Sequence, residues 1–342
     1  WPADLVKALA VQSSLPDWLV THWVKELGAI QASSIAEACA TKGPVSIRAN
    51  RLRTTAAQLR QDLEEEDGIQ TVPADDSMAP NGLVLAAGRP AGGVWALKAY
   101  QRGDFEVQDI GSQHIAAACD VQAGEWVLDY CAGNGGKALA LAAETGQAGR
   151  VVCWDISSSR LQQLMTRALR AGAQDIVSCA ASAEHLDSDG LLFDVVLVDA
   201  PCSSTGVIRR RVGLRAELSG GDAQKTALEV LPDLQKSILS AAAHYVKPGG
   251  RLVYATCSLL AAENDDIADW FDVNGNDFTA SPFQDEPTEH KLHSGQTNRK
   301  LLLPSSAPLG QNTDGFFISR WVRCQQLAGR QSTPRSNTAI VY

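Results

Sequence analysis

The run Asp129-Tyr130-Cys131-Ala132-Gly133-Asn134-Gly135-Gly136-Lys137 joins an apolar segment, EWVLD (125–129), to a helical one, GGKALALAAET (135–145). A strand that ends in glycines and opens straight into a helix aims backbone N–H groups at whatever lies over the turn. Outward from this turn the alternation repeats. RVVCWDIS (150–157) reads as a second strand and SSSRLQQLMTRALRAG (157–172) as a second helix. Further strands read at DIVSCA (175–180), FDVVLVDA (193–200) and GRLVYATCS (250–258), with helical segments between and after. Such alternation predicts a mostly parallel, Rossmann-like sheet covered by helices on both faces, with ligands at the carboxyl ends of its strands. GFFISRWVR (315–323) is expected to close the sheet edge, and the polar stretch from Pro282 to Asp314 to form a surface excursion.

Upstream the pattern changes. Residues 1–44 read as a helical lead, with Trp18, Val20, Trp23, Val24 and Leu27 on one face of PDWLVTHWVKEL (16–27). Residues 45–105 read as a small α/β unit: VSIRANRLR (45–53) as a strand, TTAAQLRQDLEEE (54–66) as a helix capped by Thr54 or Thr55, then short strands in GIQTVP and GLVLAA. The large α/β unit then occupies 106–325, and 326–342 is a tail.

Composition excludes several classes. The chain has 342 residues, 45% of them hydrophobic and 20% charged, which suits a folded globular protein and not a disordered one. Its apolar runs fall short of a membrane span. A formal charge of −9 argues against a protein that coats nucleic acid indiscriminately, but leaves room for a local basic groove. The eight cysteines include no C-x-x-C pair, so reduced thiols are expected, with neither a disulfide framework nor a zinc site. The expected setting is the cytoplasm, or an organelle if a leader preceded Trp1.

Three ligands compete for the glycine turn. A phosphate-binding P-loop needs glycine where Cys131 stands and Ser or Thr where Ala138 stands. Gly133-x-Gly135-x-x-Ala138 with Asp155 loosely fits a dinucleotide site. S-adenosylmethionine (SAM), with a ribose that also wants the acid ending the second strand, fits as well. The turn alone does not decide.

Two strand ends each deliver a cysteine, in Asp199-Ala-Pro-Cys202-Ser-Ser-Thr-Gly206 and Ala255-Thr-Cys257-Ser258. Thiols flanked by Pro, Ser, Thr and Gly are poor core fillers and good nucleophiles toward an electron-poor ring carbon. FDVVLVDAPCSSTG, YATCSLLAAEN and DYCAGNGGK together resemble the motifs of the NOL1/NOP2/Sun family of RNA cytosine-5 methyltransferases, nearest to its bacterial Sun/Fmu ribosomal RNA subgroup. PDWLVTHW, SIRANRLRTT, VQDIGSQ (107–113) and DGFFISRW (314–321) extend the likeness over nearly the whole chain, in the family's order.

The resemblance implies a SAM-dependent methyltransferase that acts on RNA as a monomer. It assigns Cys257 as the attacking nucleophile and Cys202 to product release. Cys131, Ala132, Gly133, Asn134, Gly135, Gly136 and Lys137 would cradle SAM, with Asp155 on the ribose and Arg160 supporting it. Asp199 would sit between the target base and the methionine end of SAM. The small unit would bind RNA through Arg48, Arg51 and Arg53, and the loop IRRRVGLRAELSGG (208–221) through Arg209, Arg210, Arg211 and Arg215. Where the family offers a third-strand Asp toward the adenine, this chain has Ala181 and Ser182, with the Ser182 hydroxyl as the expected substitute. That replacement motivates the competing reading, a silent RNA-binding scaffold of the same descent; the two retained thiols speak against it.

Overall fold

The computed structural model describes residues 2–180, 182, 186, 190–283, 296–305, 307 and 309–325. Residue 181, residues 284–295 and the 326–342 tail lie outside the described residues. The described part of 282–314 is not the surface excursion expected, because Asn298, the strand Arg299–Leu302, Asn312 and Asp314 are buried.

The lead folds as three helices, Leu5–Ser13, Asp17–Leu27 and Ala29–Ala40. Leu19, Val20 and Trp23 are fully buried and belong to one continuous core with Leu128, Leu239 and Tyr254 of the large unit. Polar anchors fix the seam. Trp18 Nε1 donates to Leu218 O at 3.0 Å, and Glu26 accepts from Ala261 N at 3.0 Å.

The small unit is a four-stranded antiparallel sheet in the order β2-β3-β1-β4, built from β1 (Ser46–Ala49), β2 (Thr71–Pro73), β3 (Gly82–Leu85) and β4 (Phe105–Val107). The helix Ala56–Asp67 is capped by the Thr55 hydroxyl accepting from Gln58 N. It lays Leu59 and Leu63, four apart and fully buried, against Ile47, Leu83 and Phe105. The first strand is shorter than its alternation suggested. The strand ends at Asn50, whose side chain donates to Gly103 O and Ala171 O, both at 2.8 Å, and the chain then turns over Arg51–Arg53.

In the large unit β5 (Trp126–Asp129), β6 (Arg150–Cys153), β7 (Val177–Cys179), β8 (Phe193–Asp199) and β9 (Val246–Thr256) are mutually parallel. β10 (Phe278–Ala280), β11 (Arg299–Leu302) and β12 (Phe316–Arg323) join antiparallel. The order β10-β12-β9-β8-β5-β6-β7, with β11 also on β12, corrects one expectation. The 315–323 segment pairs with β9 but is not the edge, because β10 and β11 both hydrogen-bond to it. The buried strand β8 reads Phe-Asp-Val-Val-Leu-Val-Asp, the near-continuous apolar run of a strand covered on both faces. The strand order reverses between β5 and β8, and the crevice beyond that point is where such sheets bind ligands.

Candidate active site

Four strand ends meet at this crevice: Asp129 on β5, Asp155 just past β6, Asp199 on β8 and Cys257 just past β9. The turn after β5 depends on its glycines. Gly135 has φ 81°, and a Cβ there would lie 2.5 Å from Leu164 Cγ, so a side chain fails on both strain and space. Gly136 is different: nothing lies within 4 Å of the position its Cβ would take, leaving a bare cradle at the start of the helix Gly136–Thr145. Asp155 faces this turn. Its Oδ2 accepts from Gly133 N at 2.9 Å and its Oδ1 from Ser157 N at 2.8 Å, which holds the carboxylate in place with lone pairs to spare. An open glycine cradle beside a fixed carboxylate suits an adenosine-type ligand with a diol to anchor.

Lys137 Nζ lies 2.5 Å from Asp199 Oδ2. Burial works against the lysine charge, but Asp199 outweighs it and holds the ammonium above its ordinary pKa. Asp129 is 1% exposed, and neither carboxylate oxygen has a side-chain hydrogen-bond partner among the described residues. Burial, then the charge on Asp199, raises its pKa to about 7.

The two thiols are in contact, with Cys202 Sγ 3.3 Å from Cys257 Sγ. Hydrogen bonding from Cys202 lowers the Cys257 pKa against the opposing effect of burial; the Ser204 hydroxyl at 3.5 Å and Lys137 also lower it. The same bond, with burial and the Cys257 charge, pushes Cys202 well above the usual thiol value. Within the pair, Cys257 gives up its proton more readily than Cys202. Cys131, by contrast, is raised by burial and the surrounding carboxylates, which makes it a wall of the turn.

A buried network that the motifs alone did not flag positions the pair. Glu263, fully buried, accepts from Ser203 N at 2.9 Å, from the Ser203 hydroxyl and from Gln235 Nε2 at 3.0 Å. Gln235 also donates to Pro201 O at 2.9 Å. The Ser258 hydroxyl joins the Ser203 and Thr205 hydroxyls, both at 3.1 Å, tying the two cysteine loops together. Gly206 N donates to Cys257 O at 2.8 Å. A Cβ on Gly206 would sit 2.2 Å from Gly315 O, so only glycine allows that approach. Glu263 and Asn264 stand in the quoted YATCSLLAAEN, and an acid six residues past the second thiol was the available signal.

The arginines separate into two groups. Arg48 is not on the surface: it is 7% exposed, and its guanidinium donates to Gln108 and to Gly136 O. Arg209 is 6% exposed and spent on Asp314, Asn312, Thr313 O and Ser305 O. Arg210 is taken by Asp314, Asp109 and Pro44 O, and Arg215 donates to Ser13 O and Cys39 O. Acids and carbonyls from distant segments fold onto these four: Arg48 and Arg209 are buried by them and Arg215 is half-buried, so these three are turned from phosphate, whereas Arg210 is ion-paired yet stays exposed. Arg53 and Arg211 remain exposed, and so does Arg51, which pairs with Glu144 at 2.6 Å. Arg211 Nη1 reaches the Ser204 hydroxyl at 3.2 Å, at the mouth beside Cys257. Arg160 is exposed on the first turn of the helix Ser158–Ala171, and Ser182 lies half-buried just past β7. Among the described residues no His/Cys/Asp/Glu group is disposed to hold a metal, and no helix is long and apolar enough to cross a membrane.

A parallel sheet with this glycine turn and this row of strand-end acids defines a SAM-dependent methyltransferase. The family model described as "16S rRNA methyltransferase RsmB/F" matches residues 116–322, and one described as "Methyltr_RsmF/B-like, ferredoxin-like domain" matches residues 15–91. The chain belongs to the RsmB/F methyltransferase family, and SAM is its cofactor. It is 30% identical over 319 residues to the "Probable ribosomal RNA small subunit methyltransferase B" of Bacillus subtilis, covering 92% of this chain and 68% of that protein. The "Ribosomal RNA small subunit methyltransferase B" of Pasteurella multocida is 32% identical over 311 residues, covering 89% of this chain and 64% of the relative. The crystal structure of a methyltransferase homolog protein from Pyrococcus horikoshii matches with a TM-score of 0.77 at 25% identity, covering 94% of this chain and all of that one.

Proposed function

We propose that this protein methylates carbon 5 of a cytosine in ribosomal RNA through a covalent Cys257–cytosine adduct. The observation that carries the reading is the thiol pair: two sulfurs in contact, one favouring the thiolate and the other the thiol, at the sheet edge that also holds the glycine turn. Ribosomal RNA as the substrate follows from the names of the relatives.

Carbon 5 of cytosine is a weak nucleophile. Addition of the Cys257 thiolate to carbon 6 forms an S–C bond and shifts the ring electrons toward carbon 5, as in an enamine. SAM supplies the electrophilic methyl group that carbon 5 then takes. Carbon 5 now carries both a methyl and a hydrogen, and aromaticity returns only when a base removes that proton and the S–C6 bond breaks. Cys202 suits this second half. Its pKa is raised chiefly by Cys257, through the hydrogen bond and the charge. Once Cys257 is bonded to carbon, that cause is gone, so the Cys202 thiol can pass its proton to water and, as the thiolate, take the proton from carbon 5. Elimination then frees Cys257 as thiolate.

Asp199, beside Lys137, would bind the polar edge of the base, and Asp155 the cofactor ribose. Cys131 to Lys137 would line the cofactor. The base must leave its stack to reach the thiol. Arg211 at the mouth, with Arg51 and Arg53 on the small unit, would hold the flanking phosphates.

The test is to incubate Cys202→Ala, Cys257→Ala and the double variant with SAM and total RNA, followed by a denaturing gel. Accumulation of a protein–RNA adduct in Cys202→Ala alone is expected. An adduct only in Cys257→Ala would invert the two roles. No adduct in any variant, with no calorimetric SAM binding at millimolar concentration, would favour the scaffold reading.

A further inference from the structure

We propose that Arg167, assisted by Arg48, holds the glycine turn in its ligand-binding shape from behind, so that the small α/β unit sets the affinity for SAM. The inference rests on the turn being the cofactor loop.

Arg167 lies on the helix Ser158–Ala171, which follows Asp155. Its guanidinium is divided between two units. Nη1 donates to Asn134 O, in the turn, at 2.6 Å; Nη2 donates to Glu106 Oε2, on β4 of the small sheet, at 2.7 Å. Glu106 is 2% exposed, so it needs a cationic partner in place. Arg48, on β1 of the same sheet, donates to Gly136 O at 3.3 Å and to Gln108. Two carbonyls of the turn are thus tied down by arginines whose other bonds are to β4 and the residue just past it.

Pinning a carbonyl fixes a whole amide, because C=O and the following N–H point in opposite directions across a trans peptide. The bond to Asn134 O orients the Gly135 N–H, which closes the turn on Ala132 O at 2.9 Å. The bond to Gly136 O orients the Lys137 N–H at the helix start, where a donor is free to meet a ligand. A turn with glycines at 133, 135 and 136 is costly to order on its own, since glycine loses the most freedom on being fixed. External anchors remove part of that cost before the ligand arrives.

Arg170 supplies an internal control. It pairs with the same Glu106, donates to Tyr100 O at 2.8 Å and stacks on the Tyr100 ring at 3.8 Å, all within the small unit. Its loss would loosen the seam without releasing the turn.

The experiment compares wild type, Arg167→Ala, Arg167→Lys, Arg170→Ala and Asp155→Ala by calorimetric titration with SAM, by amide exchange of residues 132–138 without ligand, and by steady-state kinetics. Arg167→Ala is expected to weaken SAM binding roughly tenfold, as loss of a hydrogen bond to a charged group would. It should also speed exchange in the turn and raise KM for SAM, with kcat at saturation nearly unchanged. Arg167→Lys, a point charge that reaches one partner, should recover part of the loss. Arg170→Ala should melt earlier yet bind SAM as wild type does. Wild-type affinity in Arg167→Ala together with weakened binding in Asp155→Ala would overturn the brace and leave the cofactor loop standing. Wild-type affinity in both would overturn the cofactor reading of the turn itself. Equal weakening in Arg167→Ala and Arg170→Ala would also overturn the brace, since the effect would then belong to the seam.

Discussion

The Sγ atoms of Cys202 and Cys257 stand 3.3 Å apart although 55 positions separate them in the chain. β8 and β9 run parallel with Asp199 opposite Ala255, so each strand delivers its cysteine past the same edge. One shared hydrogen bond then acts on both groups with opposite sign, favouring the anion on Cys257 and the neutral thiol on Cys202.

That asymmetry is visible to an alkylating reagent. Of the two active-site thiols, iodoacetamide near neutral pH should modify Cys257 first, with exposed Cys324 as the reactive reference. Cys202→Ala removes the hydrogen-bond partner of Cys257, so the pH midpoint for Cys257 labelling should rise. Peptide mapping across a pH series reads both effects; labelling of Cys202 ahead of Cys257 would refute the assignment.

The buried Asp129 should make the free protein less stable as pH rises. Its folded pKa, about 7, lies above the ordinary 3.8, so the protonated form is the one the fold prefers. Its contribution is fully present below about pH 4 and is lost as pH climbs through 7, at a rate on the order of 1.4 kcal/mol per pH unit in between. Urea midpoints from pH 5 to 8 should fall for wild type and stay flatter for Asp129→Asn. Parallel curves for the two proteins would count against it.

An arginine that contacts RNA phosphate, as proposed for Arg211, and an arginine that holds the fold would differ in their response to salt. Arg211→Ala should lower the slope of log affinity against log salt by about one, as for a lost phosphate contact. Arg209→Ala should leave that slope unchanged and destabilise the protein by about 1–3 kcal/mol, because Asp314 loses one of its two arginine partners. RNA titrations at several salt concentrations, with chemical denaturation alongside, separate the two; a lowered slope for Arg209→Ala would restore it to the RNA surface.

Glu263→Ala should cost about 1–3 kcal/mol for each donor it orphans, at Ser203 N and Gln235 Nε2. It should also slow methylation by releasing the Cys202 loop. Glu263→Gln, which keeps one acceptor, should recover part of the stability. Denaturation midpoints and single-turnover rates measure this, and an Ala variant as stable as wild type would remove Glu263 from the network.

The large sheet was legible because each parallel strand is a short apolar run followed by a turn residue and a helix, a pattern carried by consecutive residues. Asp129, Asp155, Asp199 and Cys257 could be assigned to one edge for the same reason: in a parallel sheet every strand ends on the same side. The end of the chain was less legible. The 315–323 segment looked like an edge strand, and the short strands that cover it, β10 and β11, carry only three and four residues of pattern each.

The sequence by itself determined the fold class, the glycine turn and the presence of two strand-end thiols, since each follows from local periodicity or from residue type at a fixed spacing. Tertiary structure decided what the charges do. Arg48 and Arg209 sit in basic stretches that read as an RNA surface, yet both are buried, Arg48 against Gln108 and Gly136, Arg209 against Asp314 from 105 positions away. A side chain's charge is written in the sequence, but its partner and its exposure to water depend on which distant segments fold against it. The same holds for the thiols: their identity is local, while the difference in how firmly each holds its proton arises only when the fold brings two sulfurs into contact.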